Sequence, residues 1–153
     1  SNSSAASDVY KRQVQGLERI APYAEAKGVN LNMELLNSKV DHPGYQCDHS
    51  AWGLEVCRRV NSPNVKLLYD IYHMQVMEGN LIETIRRNID VIWHVHVADV
   101  PGRMEPGTGE INYPNVLRAL DEAGYEGYCG FEFMPNDSSD AALERARLAC
   151  GLQ

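Results

Sequence analysis

The sequence predicts an α/β fold with a parallel sheet, and three observations carry that prediction. Short apolar runs alternate with segments whose apolar residues recur every three or four positions. The stretches between the runs are long enough for a parallel crossover, which takes a dozen or more residues. Each run also ends at or near a carboxylate or an imidazole.

The elements follow in order. Leu17, Ile20, Ala21 and Ala24 share one helical face and Gly28 follows as a stop. "VNLNMEL" then alternates, with Val29, Leu31 and Met33 apolar, as a strand ending near Glu34. After a loop with Pro43 and Gly44, Ser50 is placed to cap a helix whose inner face is Leu54, Cys57 and Val60. "NVKLLYDIYH" reads as a buried strand ending on Asp70. Asn80, with Glu83 three residues on, has the spacing of a helix start, and Ile82, Ile85 and Ile89 form the face behind it. "VIWHVHVAD" is the third strand. Pro114 opens a helix carrying Val116, Leu117 and Leu120, and Gly124 closes it. "YCGFEFM" is the fourth strand, and a helix spans the Ser138 to Cys150 segment. Periodicity alone leaves a small doubly wound sheet open beside a barrel.

Composition narrows the partners. With 153 residues, 44% of them hydrophobic, the chain can bury one ordinary core. A formal net charge of −7 disfavours nucleic acid and anionic membranes, which need a basic face. The four cysteines form no C-x-x-C pair, and buried reduced thiols are expected, as suits a cytoplasmic protein. No stretch approaches the roughly 18 to 20 apolar residues of a membrane helix, and no leader is visible at the start.

The strand ends carry the chemistry. Glu34, Asp70, His96 and Glu132 each stand at or near the C-terminal end of a different predicted strand, and in a (β/α)8 barrel those ends converge on the rim where active sites assemble. Singly, an acid there is more often a helix cap or a solvated loop residue. Together, three acids and an imidazole make an oxygen-rich site for a divalent ion such as Mn²⁺ or Mg²⁺. His94 and His96 are two apart and point to one side, so only the one nearer the rim joins the ion; that is His96, with His94 behind it. Trp52, Trp93 and Tyr72 are candidates to line a pocket, with core the commoner fate, for Trp93 above all.

The stretches "YDIYHMQ", "HVHVADVPGRMEPGTGEINY" and "GFEF" resemble the hydroxypyruvate isomerase branch of the xylose isomerase-like barrel superfamily, from about Val14 to the C-terminus. The resemblance implies the C-terminal half of a (β/α)8 TIM barrel, strands five to eight, over residues 14–153. It implies a metal held by Glu34, Asp70, His96 and Glu132, with His73 and Arg103 on substrate oxygens; Glu105, in the same loop, is expected to orient Arg103, a solvent-exposed surface pair being the alternative for the two. The expected partner is a small hydroxy-keto acid or ketose, and the reaction is hydroxypyruvate to tartronate semialdehyde through a cis-enediolate. Glu34 and Glu132 are the residues to move the proton. His96 stands where hydroxypyruvate isomerases often carry Gln and sugar epimerases carry His, so a ketose 3-epimerase is the alternative. The apurinic endonuclease branch of the same superfamily fits the acidic balance poorly.

The opening raises one more expectation. "DVYKRQ", residues 8–13, is what the mosaic-end adaptor of a sequencing library spells in one frame, and the family-like sequence starts at Val14. Residues 1–13 are therefore expected to be a non-native or disordered segment on a truncated chain. A half barrel is expected to expose two edge strands and an apolar inner face, which a homodimer would cover by closing the barrel. An inactive fragment is the remaining alternative.

Overall fold

The computed structural model describes residues 2–152. Its elements are α1 (Asn2–Lys27), β1 (Leu31–Glu34), α2 (Ser50–Val60), β2 (Val65–Asp70), α3 (Ile71–Met77), α4 (Leu81–Asn88), β3 (Ile92–Val97), α5 (Tyr113–Glu122), β4 (Tyr128–Phe131) and α6 (Ser139–Ala149). Residue 1 of the opening segment lies outside the described residues, and residues 2–13 form the first part of α1.

The sheet has the order β1-β2-β3-β4, and every pair is parallel. A doubly wound sheet reverses its strand order at a switch point. Here each crossover leads to the next position in the same sense, as in successive units of a barrel. Gly28 and Gly124 end α1 and α5 with φ of 64° and 77°, a left-handed conformation that side chains resist.

The core lies between the sheet and its helices. Val65, Leu67 and Tyr69 of β2 and Ile92, Val95 and Val97 of β3 are buried together with Leu54 and Cys57 of α2, Ile85 of α4, and Val116 and Leu120 of α5. α1 packs on α2 and α4 on α5, which completes the outer layer. The opposite face follows from the register: Glu34, Leu68, His94 and Tyr128 form one row, and Asp70, His96 and Gly130 the next. This inner face is more polar than expected, because ligand-type residues fill the rim row and Lys66 pairs with Asn32 below. Leu68 and Tyr128 are its large apolar members, and Tyr128 is 81% exposed.

Four local expectations are corrected. Ser50 does not cap α2: the N-cap is His49, and the Ser50 hydroxyl donates to the Glu78 carboxylate instead. Asn80 occupies the N-cap of α4 but in a left-handed conformation, with no side-chain bond to the helix. The run after Asp70 turns into the short helix α3, because the Asp70 carboxylate accepts from the backbone N–H of His73 and so caps a helix at once. Trp93 is 51% exposed and not core. Ile92 pairs with Leu67 and His94 with Leu68, so Trp93 is the extra residue of a bulge and falls out of the inward alternation. The cysteines are free; Cys47, Cys57 and Cys150 are buried, and Cys129 on the edge strand β4 is exposed. Among the described residues no helix is long and apolar enough to cross a membrane.

Candidate metal centre and active site

Strand register places the four ligand-type residues. Glu34 ends β1, Asp70 ends β2, His96 pairs with Asp70 on β3, and Glu132 follows β4, held by its own N–H to Val97 O at 3.1 Å. His96 Nδ1 stands 3.3 Å from Glu132 Oε2, 3.6 Å from Glu34 Oε1 and 3.7 Å from Asp70 Oδ2. Three carboxylates thus surround one imidazole nitrogen.

These residues fit a divalent cation on two counts. One ligand atom from each lies within 4.8 Å of all the others. His96 Nδ1 is also buried with no hydrogen-bond partner, which leaves a lone pair or proton facing only the carboxylates. Three oxygens and one nitrogen suit a hard or borderline ion such as Mg²⁺ or Mn²⁺. Without such a charge the acids are strained. Burial pushes the Asp70 carboxyl up to about 6, against the hydrogen bond from His73 N–H and the nearby Arg103. Burial, then the neighbouring Glu132 charge, raises Glu34 above the ordinary carboxylate range.

Arg103 borders the centre on the β4 side. Its Nη2 donates to Glu132 Oε2 at 2.5 Å and stands 3.9 Å from Asp70 Oδ2, while the guanidinium lies 5.4 Å from the centre of the Tyr72 ring. The residue adopts φ of 56°, a left-handed conformation uncommon outside glycine. The loop pays for that geometry through Asp99, whose buried carboxylate accepts from the N–H groups of Val100, Gly107 and Ile111. Asp99 N–H in turn donates to Met104 O.

His73 lies on α3 with its side chain fully buried, and burial drives its imidazole down to about 4, so the ring is neutral. Its Nε2 is 3.9 Å from Asp70 Oδ2. Behind it runs a polar chain in which Tyr72 donates to Asp41 Oδ2 at 2.7 Å and Asn37 donates to the same oxygen at 2.6 Å. Burial alone would raise the Asp41 carboxyl, yet these bonds from Asn37 and Tyr72 bring it below its ordinary value. An open cavity of about 710 Å³ in front of the centre is lined by Asp41, Tyr72, Arg103 and Glu132 with Phe131 and Phe133.

The structure therefore brings Glu34, Asp70, His73, His96, Arg103 and Glu132 to one rim. Glu105 goes elsewhere: fully buried, its carboxylate accepts from Arg145 Nε at 3.0 Å and from Asn136 N–H at 3.1 Å. It ties the Arg103 loop to α6 and does not reach Arg103. Arg103 stands in the turn with its left-handed backbone, and Glu105 follows the Asp99–Met104 bridge, so the two side chains leave the loop in different directions. His94 sits behind His96 with ring centres 5.0 Å apart, and Gly130 admits the pair, since a Cβ there would stand 3.3 Å from His94 Nε2. Trp52 is outside the site and donates to Gln13 Oε1 at 2.7 Å.

Sequence reasoning missed Asn37, Asp41 and Asp99. The signal available was position: each lies in a loop directly after a strand end, where a barrel places its working residues.

Comparison with known proteins agrees with this geometry. The family model described as xylose isomerase-like TIM barrel matches residues 1–149. A 2-oxo-tetronate isomerase of Cupriavidus necator is 36% identical over 130 residues, covering 85% of this chain and 50% of that protein. A hydroxypyruvate isomerase of Escherichia coli is 36% identical over 135 residues, covering 88% of this chain and 52% of that protein. A solved structure from Brucella melitensis described as an AP endonuclease, family 2, superposes with a TM-score of 0.82 at 34% identity, covering 85% of this chain and 50% of that one. The chain spans about half the length of the curated relatives it matches.

Proposed function

We infer the function from one premise: the chain belongs to the xylose isomerase-like TIM barrel family, among relatives named as isomerases of small oxo acids. The reading that fits best is a metal-dependent isomerase of a hydroxy-keto acid, with hydroxypyruvate to tartronate semialdehyde as the reaction to test first. One observation carries it: two glutamates, Glu34 and Glu132, flank a partly buried cation-type centre open to a cavity.

Shifting a carbonyl by one carbon requires loss of a proton from the adjacent carbon, and the cost lies in the negative charge that develops on oxygen. A divalent ion held by Glu34, Asp70, His96 and Glu132 would stabilise that charge as a Lewis acid. The proton is moved by a carboxylate. Glu34, whose basicity burial raises, removes it as a cis-enediolate forms and returns it to the neighbouring carbon on the same face, while the hydroxyl proton passes to the former carbonyl oxygen. Glu132 stands on the other side, held in place by its hydrogen bond from Arg103. Arg103 offers a second N–H face to a substrate carboxylate. His73 presents its imidazole edge to a substrate oxygen.

Glutamates on opposite sides of the centre also suit a ketose 3-epimerase, which needs an acid and a base on the two faces of one carbon. Incubating the chain with Mn²⁺ and hydroxypyruvate, and separately with a free ketose, separates the two. Formation of tartronate semialdehyde that Glu132→Gln abolishes is the expected result. Epimerisation of the ketose alone selects the alternative, and no turnover of either with metal bound identifies a fragment without activity.

The partner proposed for the open inner face is a second copy. Light scattering in Mn²⁺ is expected to give twice the monomer mass of 17.1 kDa. A monomer at high concentration overturns that arrangement.

A further inference from the structure

We propose that Asn37 is a positioning residue that fixes His73 as the tautomer protonated on Nε2, so that the rim presents a neutral N–H donor to a substrate oxygen. The inference rests on the isomerase reading only for what that donor meets.

The Asn37 amide is fully buried. Its Oδ1 accepts from the backbone N–H of Val40 at 3.0 Å and of Asp41 at 2.9 Å. A main-chain N–H is always a donor, so the oxygen must face these two groups and the amide cannot be turned over. Its Nδ2 then faces the remaining partners, Asp41 Oδ2 at 2.6 Å and His73 Nδ1 at 2.7 Å. An amide nitrogen carries two hydrogens and no lone pair. One hydrogen goes to the Asp41 carboxylate and the other to the imidazole, and His73 Nδ1 must therefore be the acceptor.

A neutral imidazole that accepts at Nδ1 carries its proton at Nε2. Placing a proton on Nδ1 would set two donors against each other at 2.7 Å. Nε2 is buried and has no hydrogen-bond partner among the described residues, its nearest carboxylate oxygen being Asp70 Oδ2 at 3.9 Å. The chain therefore contains a donor of fixed polarity that its own fold leaves free, beside the cation-type centre. Asp41 is held in turn by the Tyr72 hydroxyl, and the proton assignment of one imidazole is set by main-chain N–H groups three and four residues beyond Asn37.

Imidazole ¹⁵N spectra of the histidine-labelled chain without substrate or metal test this directly, with the His73 signals assigned by their loss in His73→Gln. The expected spectrum shows His73 protonated at Nε2 and bare at Nδ1. A proton on Nδ1, an averaged pair or a doubly protonated ring at neutral pH overturns the inference. Asn37→Asp replaces the donor by an acceptor and is expected to move the proton to Nδ1, while Asn37→Leu is expected to give an averaged pair. An unchanged Nε2–H in either folded variant also overturns it, and if neither folds, the spectrum of the natural sequence decides alone. The two readings fail separately. A chain with Nε2–H but no isomerase activity sinks the proposed reaction, and an active chain with Nδ1–H sinks the role of Asn37.

Discussion

Asp70 and Glu132 face the same centre, yet the molecule holds them in opposite ways. Asp70 is 1% exposed, caps α3, and stands on a strand flanked on both sides. Glu132 is 47% exposed and follows the edge strand β4, where Tyr128 and Phe131 also meet solvent. The β1–β3 side is thus assembled by its own core, whereas the Glu132 carboxylate on the β4 side is held by its bond from Arg103. Burial pre-organises a ligand and also makes its charge costly; exposure spares the charge and leaves the ligand loose.

The largest effect expected on this contrast is structural. Leu35 follows Glu34 and is fully buried, so Leu35→Ala should cost about 2–5 kcal/mol in urea unfolding through the cavity it leaves. A loss below about 1 kcal/mol would mean that the β1 side is not the rigid one.

Asp70→Asn comes next, and it should split binding from stability. Mn²⁺ affinity, read by calorimetry, should fall by more than the roughly 10- to 100-fold typical of a supporting residue. Without metal, the same variant should be more stable than the natural sequence at pH 8. The sign follows from the direction of the shift. A carboxyl raised from 3.8 to about 6 favours the fold below its unfolded value, and that contribution is lost as pH rises through about 6. The difference between the two proteins should be small at pH 4 and grow to on the order of 3 kcal/mol at pH 8. Equal stability across that range would show that the Asp70 charge is not strained in the fold.

Glu132→Gln sharpens the contrast from the other side. It should weaken Mn²⁺ as Asp70→Asn does, while unfolding without metal shifts by no more than about 0.5 kcal/mol, as for other exposed positions. The smallest effect belongs to Tyr128→Ser, on a side chain 81% exposed, which should be nearly neutral in dilute solution. A concentration-dependent loss of stability there would place a second copy over the β4 edge.

Much of this was legible in the sequence. The alternation of runs located all four strands, because a strand buried against helices must be apolar. The cluster of ligand-type residues was readable because a carboxylate or imidazole at each of four strand ends is hard to explain one residue at a time. The exceptions have a common cause. Glu105 and Arg103 lie two apart in one loop, and only the turn between them sends one to α6 and the other to the centre. Trp93 left the core through a bulge that no local pattern announces. α3 was hidden because its seven residues continue the apolar run of β2, and its start depends on a carboxylate already assigned another role.

The order of elements, the parallel sheet and the four ligand-type residues could be read along the chain. Those follow from periodicity and chemical type, which are properties of short stretches. That Asn37 faces His73 across 36 positions of chain, that Asp41 and Tyr72 brace the pair, and that Glu105 serves α6 are results of the packed fold. A hydrogen bond requires donor and acceptor within about 3 Å, and whether distant residues meet that condition is fixed by packing of the whole core, not by spacing along the chain.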